Sequence, residues 1–148
     1  MLSTINNLRE IARRCQSGQA LGEDLGRWLG TSLDQFLVRR YRTIEDALGL
    51  RAPRGGVPWW LEEAMRQRDA ALRSLAEHLY GALSPSAQAK RIRILAIRYC
   101  SSSWRHDRDK DLMPTNYCGK ASEWLWHAFK SGAPMPIGER QLRNILNH

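Results

Sequence analysis

The middle of the chain carries two long segments whose apolar residues repeat with the period of an α-helix. Residues 59–80 place leucine and methionine side chains three, four or seven positions apart, on one stripe. Ser84 and Pro85 then form a cap and first-turn pair, which opens a second helix that we expect over residues 85–108. Because apolar residues surround most of its circumference at residues 92–100, we predict that this second helix is the central element of the core.

The rest of the sequence also indicates helices rather than strands. Helical periodicity recurs in residues 5–15, 21–37, 117–130 and 138–147, and no segment alternates with period two for long enough to indicate a strand. The sequence therefore predicts one all-α domain, a compact bundle of about five to seven helices. Prolines and adjacent glycines in residues 51–58 mark a loop, the one place where a division of the domain is indicated.

The chain is basic, with 23 Lys and Arg against 15 Asp and Glu in 148 residues, and its formal net charge is +8 at pH 7. A positive field of this size favours polyanionic partners or an acidic protein surface. The amino end lacks the basic region and apolar stretch of a secretory signal, and no apolar run reaches the ~18 residues of a spanning helix. We therefore expect a cytoplasmic protein with no membrane partner.

Most of this charge lies on the second long helix. Residues 88–110 contain seven Lys or Arg and two Asp. On a continuous helix, five of the cationic side chains fall within about 100° of arc and form a straight stripe about 27 Å long. These five are Lys90, Arg91, Arg98, Arg105 and Arg108. We predict that they contact nucleic-acid phosphates, and the alternative is a solvated helix face.

The last helix adds three candidate nucleic-acid contacts. Its apolar residues define a buried side, which leaves outside the residue types that contact base edges or phosphates. The candidates are Arg140, Arg143 and Asn144. The two C-terminal helices resemble a helix-turn-helix only in outline, because their connection, residues 131–136, is long.

Adjacent tryptophans form a candidate partner-binding site. Trp59 and Trp60 follow the 51–58 loop, and neighbouring residues on a helix cannot both point into a core. At least one of them is therefore a candidate surface anchor. The apolar segment 21–41, with three glycines four positions apart, is a second candidate for docking a partner protein or a second copy.

No sequence motif indicates an enzyme, a cofactor or a metal site, and we assign no catalytic residue. The chain lacks a Walker loop, GxSxG, HExxH and paired CxxC motifs. Cys118, Glu123 and His127 lie close in sequence but offer too few ligands to define a metal site. The three cysteines are odd in number and widely spaced, so we expect reduced and mostly buried thiols.

Two functional hypotheses fit these features. The first is a small non-enzymatic protein that binds DNA or RNA mainly through phosphate contacts of the basic stripe. The second is a protein–protein interaction adaptor or an oligomerising helical module without nucleic-acid binding. In the second hypothesis the stripe is solvated or faces an acidic partner surface.

Overall fold

The structure of the protein is a computed structural model, and it describes residues 2–136 and 138–148. Within these ranges the chain forms eight α-helices, one 3-10 helix and no strand, which confirms the all-α fold class. The α-helices are α1 (Leu2–Gln16), α2 (Glu23–Leu37), α3 (Ile44–Leu48), α4 (Trp59–Tyr80), α5 (Pro85–Ser101), α6 (Trp104–Asp107), α7 (Ala121–Lys130) and α8 (Glu139–Leu146). The number exceeds the expected five to seven because the predicted helix over residues 85–108 is interrupted.

The helices belong to two compact units, Met1–Trp59 and Trp60–His148. The boundary follows directly on the 51–58 loop, where the prolines and glycines prevent a helix from continuing. We call the two parts unit 1 and unit 2. That the two units form one domain stays a prediction from the sequence.

Unit 1 contains α1, α2 and α3, and a side chain caps the start of α3. The Thr43 hydroxyl accepts a hydrogen bond from the backbone N–H of Asp46 at 3.1 Å, and the two residues form the T-x-x-D pattern that is typical of such a cap. Gly49 ends the helix in the left-handed conformation, with φ 71°. In α1, hydrogen bonds from Arg13 and Arg14 lower the pKa of Glu10 to about 2.

The end of α2 uses a left-handed residue that is not glycine. The N–H of Arg40 donates to the carbonyl of Gln35 at 3.0 Å, and that of Arg39 donates to Phe36 at 3.0 Å. This is the usual pattern of a helix terminated by a left-handed residue. Arg39 occupies that position with φ 61°, a conformation that is unfavourable for residues with a Cβ.

Unit 2 is built around one apolar core that α4, α5, α7 and α8 share. Leu72 and Leu75 of α4, Ile92 of α5 and Leu142 of α8 are almost completely buried in it. α5 packs against α6, α7 and α8, as expected for the central element, but one face of α5 remains exposed. The α4 stripe predicted from the sequence is only partly inside, because Leu79 is exposed.

A buried arginine connects α4 to the loop that precedes α8. The Arg68 side chain is 6% exposed, forms an ion pair with Asp69 at 2.6 Å and donates a hydrogen bond to the carbonyl of Pro134. A charge at this depth requires both an ionic partner and hydrogen-bond acceptors. Arg68 therefore fixes the loop, and with it the position from which α8 begins.

The three cysteines lie at the surface of the protein. Cys15, Cys100 and Cys118 are all free and exposed, so the expectation of mostly buried thiols is wrong. The spacing of the cysteines in the sequence did not indicate which side of its segment each thiol occupies. None of the helices in the described part of the chain combines the length and apolarity needed to cross a membrane.

We predict that Arg39→Gly stabilises unit 1 by about 1 kcal/mol, because glycine adopts the left-handed conformation without a Cβ penalty. The measurement is urea unfolding followed by circular dichroism at low protein concentration. Arg40→Gly is the matched control, since Arg40 has no positive φ. Equal effects of the two substitutions would contradict the assignment of strain to Arg39.

Candidate nucleic-acid interface

The helix α5 begins as the sequence predicts and has two distinct sides. Ser84 caps it by accepting a hydrogen bond from the N–H of Ala87 at 3.3 Å, and Pro85 occupies the first turn. One side is buried in the unit 2 core through Ala89, Ile92, Ala96 and Tyr99. The opposite side faces solvent.

The solvent side of α5 carries three exposed cations, Lys90, Arg91 and Arg98, which we call the α5 basic face. The helix contains no acidic residue. Within the described ranges, none of the three cations forms an ion pair. Their charges are therefore neutralised only by solvent ions, which is the state in which a basic surface attracts a polyanion.

Two exposed isoleucines lie on the same side of α5. Ile94 is 45% exposed and lies one turn from both Lys90 and Arg98, while Ile97 is 57% exposed at the edge of the face. Ile97 also lines a groove of about 210 Å³ that Cys100, Phe129 and Met135 help to form. The α5 surface is thus basic with an apolar centre.

The predicted stripe does not continue past Ser101. Ser102 has φ −120° and ψ −90°, and its hydroxyl and that of Ser101 both donate to the carbonyl of Arg98, at 2.7 and 3.0 Å. The prediction of one helix to Arg108 is therefore wrong. Arg105 and Arg108 are exposed, but they belong to α6 and its C-cap, outside the line of Lys90, Arg91 and Arg98.

The last helix, α8, lies beside the first half of α5 and presents the expected residues. Leu142 and Ile145 are buried, as predicted, while Arg140, Arg143 and Asn144 are exposed. An Arg143 guanidinium nitrogen lies 3.5 Å from the Ser86 hydroxyl of α5. The two arginines line a shallow cleft of about 210 Å³ together with Ser86, Ala89 and Glu139.

A buried carboxylate that was not among the predicted site residues belongs to Asp107, the last residue of α6. Asp107 is 1% exposed. One of its oxygens accepts hydrogen bonds from the hydroxyls of Tyr99 at 2.9 Å and Tyr117 at 2.7 Å, and the other accepts one from the Lys110 ammonium at 2.9 Å. We call these four residues the Asp107 cluster. The only local signal in the sequence is the Asp-x-x-Lys spacing, which is common on solvated helices.

The cluster shifts the pKa of each of its members. Burial by itself raises the pKa of Asp107, but the hydrogen bonds from Lys110, Tyr117 and Tyr99 outweigh it and leave the pKa below its usual range. Burial and then the bond to Asp107 raise the pKa of Tyr99. The bonds to the carboxylate raise the pKa of Tyr117 and that of Lys110. The aspartate is thus ionised and the tyrosines are neutral donors at pH 7. In this state the hydrogen bonds of the cluster stabilise the fold.

The tryptophans at the start of α4 differ in exposure. Trp59 is half-buried and its indole N–H donates to the Glu45 carboxylate at 3.2 Å. Trp60 is 58% exposed. Trp59 is thus engaged within unit 1, and Trp60 is the one available as a surface anchor. The partner-binding role of both residues stays a prediction.

Glu123 and His127, which were candidates for a metal site, make other contacts in the structure. The Glu123 carboxylate accepts a hydrogen bond from the backbone N–H of Gly119 at 2.6 Å and so serves the start of α7. His127 lies edge-on to Trp126. In the described part of the chain, no three His, Cys, Asp or Glu side chains are grouped so that they could hold a metal ion.

No protein-family model matches this chain, and no match emerges among curated proteins or solved structures.

We predict that Tyr99→Phe lowers the free energy of unfolding by about 1.5–3 kcal/mol, because it removes a hydrogen bond to a buried charge. Urea unfolding at pH 7 measures this change. Tyr41→Phe is the control, since the Tyr41 side chain is exposed and belongs to unit 1. A loss no larger than that of the control would contradict a stabilising role of the Asp107 cluster.

The same cluster predicts a dependence of stability on pH. The folded pKa of Asp107 is lowered, so its contribution is complete above the unfolded value of about 3.9 and is lost as pH falls through the folded value. We expect the wild-type protein to lose more stability than Asp107→Asn when pH is lowered from about 6 to about 3. Parallel losses in the two proteins, measured by thermal unfolding, would show that Asp107 is not the titrating group.

Proposed function

We propose that the protein binds nucleic acid through phosphate contacts made by the α5 basic face and extended by Arg140 and Arg143 of α8. The observation that carries this proposal is the unpaired state of Lys90, Arg91 and Arg98 on a helix without acidic residues. Cations that no intramolecular acid neutralises release counterions when they meet phosphates, and this release drives binding.

The position of α8 supports a surface wider than one helix. The contact between Arg143 and Ser86 brings the α8 arginines to the N-terminal end of α5, one turn before Lys90. Glu139 is the one acidic residue that lines the cleft between them. Arginine is suited to this role because its planar guanidinium binds two phosphate oxygens at once.

The surface is shorter than a continuous stripe from Lys90 to Arg108 would be. From Lys90 to Arg98 the α5 basic face extends about 12 Å along the helix axis. Arg105 and Arg108 lie beyond the break, so we do not count them among the primary contacts. With three to five phosphates neutralised, the logarithm of the binding constant falls by about 3 to 4.5 for each tenfold rise in salt on duplex DNA.

We expect Arg91→Gln with Arg98→Gln to reduce the magnitude of this salt slope by about 2 and to weaken binding at every sequence tested. The measurement is fluorescence anisotropy with labelled duplex DNA and single-stranded RNA at several salt concentrations. The salt slope counts phosphate contacts, so a change of about 2 indicates that Arg91 and Arg98 themselves contact phosphates.

The matched control is Arg42→Gln with Arg54→Gln. It removes the same two charges from exposed arginines of unit 1 that form no ion pair within the described ranges. We expect its slope to equal that of the wild-type protein. Equal slopes for the two double variants, or no binding at low salt, would overturn the proposal.

A second candidate function is favoured by the isoleucines of α5. Ile94 and Ile97 are exposed among the cations, and Ile97 borders an apolar groove. An acidic protein segment with apolar side chains fits such a surface, because it satisfies both the charge and the apolar area. In this case Ile97→Ser abolishes binding of the partner, whereas phosphate binding to nucleic acid is little affected.

A further inference from the structure

The loop that follows α6 exposes an apolar side chain at the surface of unit 2. Leu112 is 83% exposed, more than any other large apolar residue in the described ranges. Two residues before it, Asp109 and Asp111, are exposed as well. We call residues 109–112 the acidic loop.

The outward charge of the acidic loop is negative. Its one cation, Lys110, donates a hydrogen bond to the buried Asp107 at 2.9 Å. Asp109 forms only a long ion pair, 3.8 Å from its neighbour Arg108, and Asp111 forms none in the part of the chain that the structure describes. The loop thus presents a leucine next to carboxylates that the chain itself neutralises little.

The groove beside Ile97 has the complementary character. We call it the α5 groove, and its lining includes Arg93, Ile97 and Cys100 of α5, Phe129 of α7, and Met135 and Pro136 of the loop before α8. Arg93 is the charged member of this lining, and Lys90 lies two turns before Ile97, about 20° around the helix from it. A cavity of about 150 Å³ holds a molecule of the size of benzene. The α5 groove, at about 210 Å³, therefore has room for a leucine side chain.

The acidic loop and the α5 groove are neighbours on unit 2. The Lys130 ammonium donates to the carbonyl of Arg108, the residue directly before the loop, at 2.9 Å. Phe129, which lines the groove, directly precedes Lys130. The loop nevertheless does not fill the groove of its own chain, because Leu112 and Ile97 are both exposed.

We propose that the acidic loop of one copy of this chain docks in the α5 groove of a second copy. Leu112 then contacts the apolar lining, and Asp111 lies near Arg93 and Lys90. The proposal rests on the second candidate function, in which an acidic apolar segment fits α5, and it names that segment. Because loop and groove are neighbours, a two-fold axis allows both copies to dock their loops at once, which closes the pair.

A second copy is favoured because the chain supplies both halves of the contact. An unrelated acidic segment would fill the α5 groove but leave Leu112 exposed. A lipid surface with anionic headgroups would repel Asp109 and Asp111. Arg91 and Arg98 lie about 100° to 120° around α5 from Ile97, so they stay exposed in the pair.

The experiment is sedimentation velocity of the full chain from about 1 µM to about 1 mM, with dissociation constants obtained from the concentration dependence. A reductant is present, because all three cysteines are exposed. We expect a reversible and weak dimer, since two loops bury a small area. Leu112→Ser should raise the dissociation constant about tenfold or more, because each dimer buries this side chain twice.

Leu37→Ser is the matched control. It makes the same substitution at a leucine that is 71% exposed, but in unit 1. We expect it to leave the dissociation constant unchanged. Equal weakening by Leu112→Ser and Leu37→Ser would overturn the proposal, and so would a wild-type chain that is monomeric throughout the concentration range.

A mixture of two variants tests whether the loop meets the groove. Leu112→Ser removes the loop contact and Ile97→Ser removes the groove contact, so each variant alone loses both contacts of the pair. An equimolar mixture keeps one intact contact, between Leu112 of one variant and Ile97 of the other. We therefore expect the mixture to associate more tightly than either variant alone. A mixture that associates no more tightly than its components would overturn the proposal.

A separate probe distinguishes failure of this proposal from failure of the second candidate function. The probe is a labelled synthetic peptide of alternating Glu and Leu, whose anisotropy is measured with the wild-type chain and with Ile97→Ser. A monomeric chain that binds the peptide, and loses it with Ile97→Ser, would overturn only the choice of the acidic loop as the occupant. A monomeric chain that does not bind the peptide would overturn both.

Discussion

The buried carboxylate of Asp107 is the constraint on which the arrangement of unit 2 depends. A charge that is 1% exposed is tolerable only when donors surround it, and here Tyr99, Tyr117 and Lys110 supply them. On a continuous helix Asp107 would lie about 12 Å along the axis from Tyr99. The chain must therefore break between α5 and α6 for the carboxylate and the phenol to meet, and the serines after Arg98 permit the break.

This break determines the shape of the basic surface. It limits the aligned cations of α5 to Lys90, Arg91 and Arg98 and carries Arg105 and Arg108 onto another segment. The unit 2 core also holds α8 beside the first half of α5, so the exposed Arg140 and Arg143 lie near that end of the α5 basic face. A polyanion approaching unit 2 would meet two helices rather than one long stripe.

Ile94 and Ile97 add exposed apolar area among the cations of α5. Apolar area set among charges is typical of surfaces that bind macromolecules.

The sequence by itself determined the all-α fold class, the cap of α5, the buried side of α8 and the outward position of Lys90, Arg91 and Arg98. Local capping hydrogen bonds and helical periodicity suffice for these features. Only the tertiary structure decided where α5 ends, that Asp107 is buried and that the cysteines are exposed. The reason is that the bonds between Asp107 and the tyrosines join residues 8 and 10 positions apart, outside the reach of helical periodicity. Only Ser102 leaves the helical conformation, and the chain resumes it in α6, which carries Asp107 back to Tyr99.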